Sequence, residues 1–265
     1  MLCSNCPQTP NPLPSPPLIA ACDFDGTLWR SHSANQEDID AIQRWRAAGN
    51  AFGLVTGRGI STLQETLALC PPFGCDFLIC NNGALLCDGS GRKRMCFALP
   101  DGSKEQLFAH IVLRSCPQCI LFSDLDAHVL AGKTPYWIHP ENLLPALTAE
   151  EAALRPLHQV SIAYPDHETA LRWTESLRGV AGIEPHPSRI CIDITAKDVS
   201  KSNGILSLLE LFNWKGEVLA IGDDGNDLPM LKAFTGFAMD TAPDEVKEAA
   251  RGVFPSVASV LNACL

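Results

Sequence analysis

From Leu18 onward the chain alternates unbroken apolar runs with segments in which apolar residues recur every three or four positions. LIAACDF is followed by a helical pattern over 37–48, AFGLVTG by one over 60–69, and then comes FLIC. Continuous apolar runs, where a half-exposed strand would alternate, fit strands covered by helices on both faces, and strand–helix alternation predicts a parallel sheet. After Asn81-Asn82-Gly83 the rhythm changes. Hairpin-like pieces (ALLCDGSGRKRMCFAL), a helix over 104–114, the strands CILFS, HVLAG and QVSIAYP, a helix over 167–178 and RICIDIT predict an α+β module with an antiparallel sheet. From Lys201 the strand–helix pattern returns through KSNGILSLLELF, EVLAIGDD and GFAMD.

The expected architecture is therefore α/β: a Rossmann-like parallel-sheet core, residues 18–83 and 198–265, carrying an inserted α+β cap over 84–197, behind a proline-rich lead over 1–17. Length allows it, since 265 residues suffice for a core domain and a second module.

Composition narrows the function classes. The formal charge of −10, with no run of lysine or arginine, disfavours a nucleic-acid partner. No stretch reaches the roughly 20 apolar residues of a membrane helix, and the lead MLCSNCPQTPNPLPSPP lacks the basic start of a signal peptide, so a cytoplasmic location is expected. The partner left is a small molecule, with the protein a monomer or small homo-oligomer. Twelve cysteines sit mostly in apolar runs, where they behave as small hydrophobes. Cys3/Cys6 and Cys116/Cys119 have the spacing of a zinc knuckle, but neither pair has a turn glycine beside it, and free thiols are the expectation.

Four apolar runs of the α/β part end in polar clusters: Asp23-Phe24-Asp25-Gly26-Thr27, Thr56-Gly57-Arg58, Asn81-Asn82-Gly83 and Gly222-Asp223-Asp224-Gly225-Asn226-Asp227. Ligands of open parallel sheets bind beyond the carboxyl ends of the strands, so the clusters are expected to converge on one crevice. One acid after a strand could simply cap the next helix; four together point to a site. Asp23 and Asp25 at one strand end and Asp223 at another offer oxygen ligands without a histidine or cysteine cluster, which suits Mg2+ better than zinc or copper. No GxxxxGK[ST] loop or GxGxxG turn is present, which argues against P-loop and dinucleotide enzymes.

DFDGT at 23–27, VTGR at 55–58, NNGA at 81–84, VSK at 199–201 and GDDGND at 222–227 resemble, in that order, the motifs of the haloacid dehalogenase superfamily, and the long insertion after the third resembles its Cof-type phosphatases with a large α/β cap. The resemblance implies Asp23 as nucleophile, Asp25 as general acid/base, Thr56 as hydroxyl donor to the phosphoryl group, and Lys201 as the cation beside the nucleophile. It also implies phosphate binding by Phe24, Thr56, Gly57, Lys201 and Asn226, metal binding by Asp23, Asp25 (through its carbonyl) and Asp223, and a supporting place for Asp227. Asp224 receives no role.

The chemistry is coherent without the family. A carboxylate can accept a phosphoryl group and so divide a hard hydrolysis into two displacements, with a second carboxyl to move the protons. A magnesium-dependent phosphatase acting on a small phosphorylated metabolite, a sugar phosphate foremost, is the expected function. A phosphomutase-type transferase or a catalytically silent phosphate binder on the same fold are the alternatives. His128, Trp137, His139, Arg155, His186 and Arg189 are cap residues that could reach the leaving group, none favoured over the others.

Overall fold

The computed structural model describes residues 15–265 apart from 111, 112, 114 and 136–143. The Cys3/Cys6 pair, Trp137 and His139 lie outside the described residues. The first sheet has eight strands in the order β16 (Gly252–Phe254), β15 (Thr235–Met239), β14 (Glu217–Gly222), β1 (Leu18–Cys22), β4 (Ala51–Val55), β5 (Phe77–Cys80), β6 (Leu85–Asp88) and β7 (Lys93–Cys96). The pairings from β16 to β5 are parallel; β6 and β7 pair antiparallel. A two-stranded hairpin, β2 (Trp29–Arg30) with β3 (Ser33–Ala34), stands apart.

The unbroken apolar runs are explained by helices on both faces. Ala20 and Cys22 of β1 pack with Ile39, Ile42 and Trp45 of α1 (Gln36–Ala47) and with Val257 and Leu261 near the C-terminus, while Ile19 and Ala21 face Ile205 and Leu208. Helix α1 starts where the Asn35 side chain accepts from the Glu37 backbone N–H at 3.2 Å. Its Trp45 is wholly buried and donates from Nε1 to the Ala51 carbonyl at 2.8 Å, so truncation to alanine would cost about 3–5 kcal/mol. On this face α2 (Ile60–Leu67) adds Ile60 and Leu63.

The hairpin over Leu85–Cys96, read from the sequence as part of the second module, is bonded into the first sheet. Asn81, Asn82 and Gly83 all have positive φ (53°, 52° and 105°), and this left-handed turn brings β6 back beside β5. Glycine, and asparagine next after it, tolerate that region best.

The second sheet has six strands in the order β10 (Ala146–Leu147), β9 (Asp126–Leu130), β8 (Gln118–Ser123), β11 (Leu157–Ala163), β13 (Cys191–Ala196) and β12 (Ile183–Ser188), antiparallel except for β9 with β10. One face, with Leu121, Val160, Ile162, Ile192 and Ile194, packs under α3 (Asp101–Ala109) and the helix His167–Leu177. The other carries Phe122, Gln159, Ser161 and Asp193 and is turned to the carboxyl end of the first sheet. There a Cβ at Gly59 would lie 2.4 Å from the Phe122 ring, and one at Gly57 2.8 Å from Asp193 Oδ2. The chain passes between the sheets near Phe97 and again near Val199, and these residues pack together with Ala84 and Ala196.

Candidate active site

The four neighbouring strands β14, β1, β4 and β5 all point the same way, so their ends deliver Asp223, Asp23, Thr56 and Asn81 to one edge of the sheet. A cavity of about 300 Å³ opens there, lined by Asp23, Asp25, Thr56, Gly57, Lys201 and Asn226, with Arg58 beside them. The second sheet closes it with Ser188 to Cys191 and Asp193, and Asp224 borders the joint.

Asp23 is almost wholly buried, and its Oδ1 accepts from Lys201 Nζ at 2.7 Å. Lys201 is the first residue of a helix running to Phe212, capped by the Ser200 hydroxyl, which accepts from the Asn203 N–H at 3.2 Å. This start aims the buried ammonium back at the strand ends, where it also donates to Asp227 Oδ1 at 2.6 Å and Asn226 Oδ1 at 3.4 Å. Burial works against the charged ammonium, but the carboxylates of Asp227 and Asp23 outweigh it and hold its pKa above the ordinary value. The other oxygen of Asp227 accepts from the N–H groups of Asp223 and Asp224 at 2.9 and 3.0 Å, fixing the loop after β14.

Asp223 Oδ1 accepts from the Thr27 hydroxyl at 2.8 Å, and burial pushes its pKa up to about 6. Burial, with the push of Asp227 and Asp223, works to raise the pKa of Asp23, and the Lys201 ammonium at 2.7 Å opposes it in favour of the carboxylate. Gly26, at φ 94°, makes this crowding feasible: a Cβ there would fall 2.2 Å from Asp223 Oδ2. One ammonium thus faces three carboxylates, Asp23, Asp223 and Asp227, which offer ligand oxygens within 4.8 Å of one another. An oxygen-only set with an uncompensated negative balance fits a hard divalent cation such as magnesium.

The remaining residues divide by what they can offer. Thr56 is buried, and its Oγ1 accepts from the Arg58 N–H at 3.1 Å. Phe24 is buried and stacks on Trp29 with centroids 5.9 Å apart, so it can meet a ligand only through its backbone. The Asp25 carboxylate is partly exposed at the cavity wall and is bound by Arg58, which also lies over the Phe24 ring at 5.2 Å. The Gly57 carbonyl accepts from Gln159 Nε2 at 2.9 Å.

Of the cap residues singled out from the sequence and described in the structure, only Arg189 lines the cavity, at the tip of the β12–β13 hairpin with Nη2 3.8 Å from Asp223 Oδ2. His128 and Arg155 face each other at 3.3 Å, and His186 Nε2 meets the Thr195 hydroxyl at 2.9 Å; none of the three borders the cavity. Asp224, given no role from the sequence, accepts from the Ser188 hydroxyl at 2.6 Å and so ties the hairpin tip to the loop after β14. Asp193, on the inward face of β13, likewise carries no motif in the sequence. Burial pushes its pKa up to about 6 against hydrogen bonds from Ser161 and Asn82. The signal for it was a lone acid among the isoleucines of an apolar strand, a placement that requires donors nearby.

Residues 20–142 and 154–262 match the model of a family described as haloacid dehalogenase-like hydrolase. A Bacillus subtilis (strain 168) protein carrying the name "Putative phosphatase YxeH" is 28% identical over 254 residues, which span 88% of this chain and 90% of that protein. A Haemophilus influenzae protein named "Putative phosphatase" is 25% identical over 244 residues, 87% of this chain and 90% of its own length. Among solved structures, a subclass IIB sugar phosphatase of the same superfamily superposes with a TM-score of 0.74 at 25% identity, over 92% of this chain and 96% of that one. A Cof-like hydrolase from Plasmodium vivax shares the fold, with a TM-score of 0.77 at 21% identity over 94% and 95% of the two chains. Among the described residues no helix is long and apolar enough to cross a membrane.

Proposed function

The chain belongs to the haloacid dehalogenase-like hydrolase family, and from that premise we propose that it is a magnesium-dependent phosphatase that transfers the phosphoryl group of a small metabolite to Asp23 and then to water. The observation that carries the reading is the buried Asp23–Lys201–Asp227 ion pairing, with Asp223 alongside, at the mouth of a cavity closed by a second sheet. A structural salt bridge would have no need of a third carboxylate crowded against it in a low-dielectric site, since each buried charge is costly without a partner.

Asp23 attacks phosphorus, forming an acyl phosphate as the ester P–O bond breaks, and Asp25 protonates the departing alkoxide. Asp25 then takes a proton from the water that attacks the acyl phosphate, releasing inorganic phosphate and restoring the Asp23 carboxylate. Lys201 stays fixed between Asp23 and Asp227 and offsets charge as the phosphoryl group moves, without reorganising. The hydroxyl of Thr56 and the amide of Asn226 orient the phosphoryl oxygens. Asp23, Asp223 and the Asp25 carbonyl would hold magnesium, which when bound screens the carboxylates from the incoming phosphate and polarises its oxygens. The six-stranded sheet acts as the cap, and its Ser188, Arg189 and Asp193 bound the space left for the leaving group. Of the ester classes, the sugar phosphatase neighbour and the hydrogen-bonding side chains of Ser188, Arg189 and Asp193 on the second-sheet side of the cavity favour a sugar phosphate.

The test is release of inorganic phosphate from sugar phosphates, nucleotides, flavin mononucleotide and pyridoxal phosphate, with magnesium and with a chelator, in the natural protein and in Asp23→Asn. Metal-dependent release absent from Asp23→Asn is expected. Turnover by Asp23→Asn at the natural rate would remove the covalent step, and release unchanged by the chelator would remove the metal.

A further inference from the structure

Asn82 sits at the meeting of the two sheets, fully buried, with its left-handed backbone donating to the Thr56 carbonyl at 3.0 Å. Its amide nitrogen donates only to the second sheet, to Asp193 Oδ2 at 2.9 Å and Gln159 Oε1 at 3.2 Å. The neighbours dictate that orientation. Gln159 spends its own amide hydrogens on the Gly57 carbonyl and on Ser161 Oγ at 2.8 Å, so it presents its oxygen to Asn82. The Ser161 hydroxyl donates to Asp193 Oδ1 at 2.5 Å, which leaves Asp193 an acceptor on both sides.

The amide oxygen of Asn82 faces the other way. It accepts from Asn226 Nδ2 at 3.4 Å, and the oxygen of Asn226 in turn accepts from Lys201 Nζ at 3.4 Å. Asp193, Asn82, Asn226, Lys201 and Asp23 therefore form one continuous polar chain from the second sheet to the candidate nucleophile.

We propose that Asn82 is a positioning residue that makes closure of the second sheet over the cavity and ordering of the phosphate seat a single event. The inference rests on the phosphatase reading for the identity of that seat. A joint of this kind suits repeated opening. When the sheets part, water can replace each of its hydrogen bonds, whereas an apolar joint would resist separation. The circuit is nonetheless selective when closed, since loss of one member strands buried polar partners. Aspartate at 82 would set a carboxylate against Asp193, and alanine would remove both arms. The close fit of Gly57 against Asp193 and Asn82, where a Cβ would lie 2.8 and 3.1 Å from them, shows how little slack the joint has.

The test is hydrogen–deuterium exchange on the full chain with magnesium, with and without inorganic phosphate as the probe. In the natural protein phosphate is expected to slow exchange both in the loop 222–227 and in peptides covering β11 and β13. In Asn82→Ala the loop should still be protected while the protection of β11 and β13 is lost. Asp193→Ala cuts the same contact from the other side and should give the same loss, and the double variant no further one; it also serves if Asn82→Ala does not fold. Retained protection of β11 and β13 in both single variants, or natural protein in which phosphate protects the loop alone, overturns the coupling. Phosphate release by the natural protein reads the hydrolase assignment separately. Coupled protection without release would discard the hydrolase and keep the joint, and release without coupled protection would do the reverse.

Discussion

Arg58 holds the Asp25 carboxylate by both oxygens, Nη2 to Oδ1 at 2.6 Å and Nε to Oδ2 at 2.7 Å, and a third nitrogen, Nη1, donates to the Thr66 hydroxyl. Two parallel bonds fix the plane of a carboxyl group as well as its position. Arg58 thereby aims the residue proposed for proton transfer, from a strand end adjacent to that of Asp23, the proposed nucleophile.

Lysine cannot reproduce that fork. Arg58→Lys is expected to lower kcat on a sugar phosphate by about 10- to 100-fold, a part of what general acid catalysis supplies. The loss should be smaller on p-nitrophenyl phosphate, whose leaving group departs without help from a proton. Equal losses on the two esters would show that Arg58 does not work through Asp25.

Lys201→Met leaves the Asp23 and Asp227 carboxylates buried without their cation. Breaking a buried pair from one side costs about 3–5 kcal/mol, so the urea midpoint should fall steeply and phosphate release should cease. Adding Asp227→Asn to that variant is expected to restore part of the stability and none of the turnover. A Lys201→Met protein as stable as the natural one would contradict the burial argument.

The seat of the second sheet depends on a missing side chain. Gly59→Val is expected to prop that sheet away from the first by striking the Phe122 ring, raising KM for the preferred ester. Phe122→Leu in the same chain should bring KM back toward the natural value, because it opens the space that the new side chain needs. If the double variant is no better than the single, the clash is not the cause.

His158 accepts from the Asp124 N–H at Nε2, 2.9 Å, and burial pushes its pKa down to about 4; His186, half-buried, is pushed down to about 4 by the same desolvation. For a histidine with a folded pKa below its unfolded value, near 6.5, the unfolded chain takes up the proton first as pH falls. The contribution is full above pH 6.5 and is lost toward pH 4, at up to about 1.4 kcal/mol per pH unit for each group. Asp193 and Asp223, pushed up to about 6, act in the opposite sense, since the folded state binds their protons first and gains stability as pH falls from 6. The comparison with His158→Asn isolates the histidine: between pH 6.5 and 4.5 the melting temperature of the variant should fall less than that of the natural protein. Parallel curves would mean that His158 does not titrate in that window.

The candidate chemistry was legible because Asp23, Thr56, Asn81 and Asp223 each end an unbroken apolar run, and a parallel sheet gathers such ends on one edge. The helices over Gln36–Ala47, Ile60–Leu67 and His167–Leu177 follow their apolar spacing to within two residues at each end. Three things were hidden. The β6–β7 hairpin alternates as the strands of the second sheet do, and only the positive φ values at Asn81–Gly83, which send β6 back along β5, decide which sheet takes it. Gln159, Ser161 and Asp193 sit among apolar neighbours on strands, and a one-dimensional pattern does not say that the polar face of such a strand meets another sheet instead of water. Arg58 lies inside the VTGR motif at 55–58, but its partner is 33 positions away in the chain.

The two crossings between the sheets lie against each other, with Phe97 and Val199 sharing one small apolar cluster with Ala84 and Ala196. For the parent sheet, the entire intervening segment is then a loop whose ends already touch, and the entropy of closing a loop rises only slowly with its length. The cap can accordingly be lengthened, recombined or exchanged as a cassette while the strands beneath keep their register. Specificity in such a chain is free to diverge without the reaction centre having to refold around each new lid.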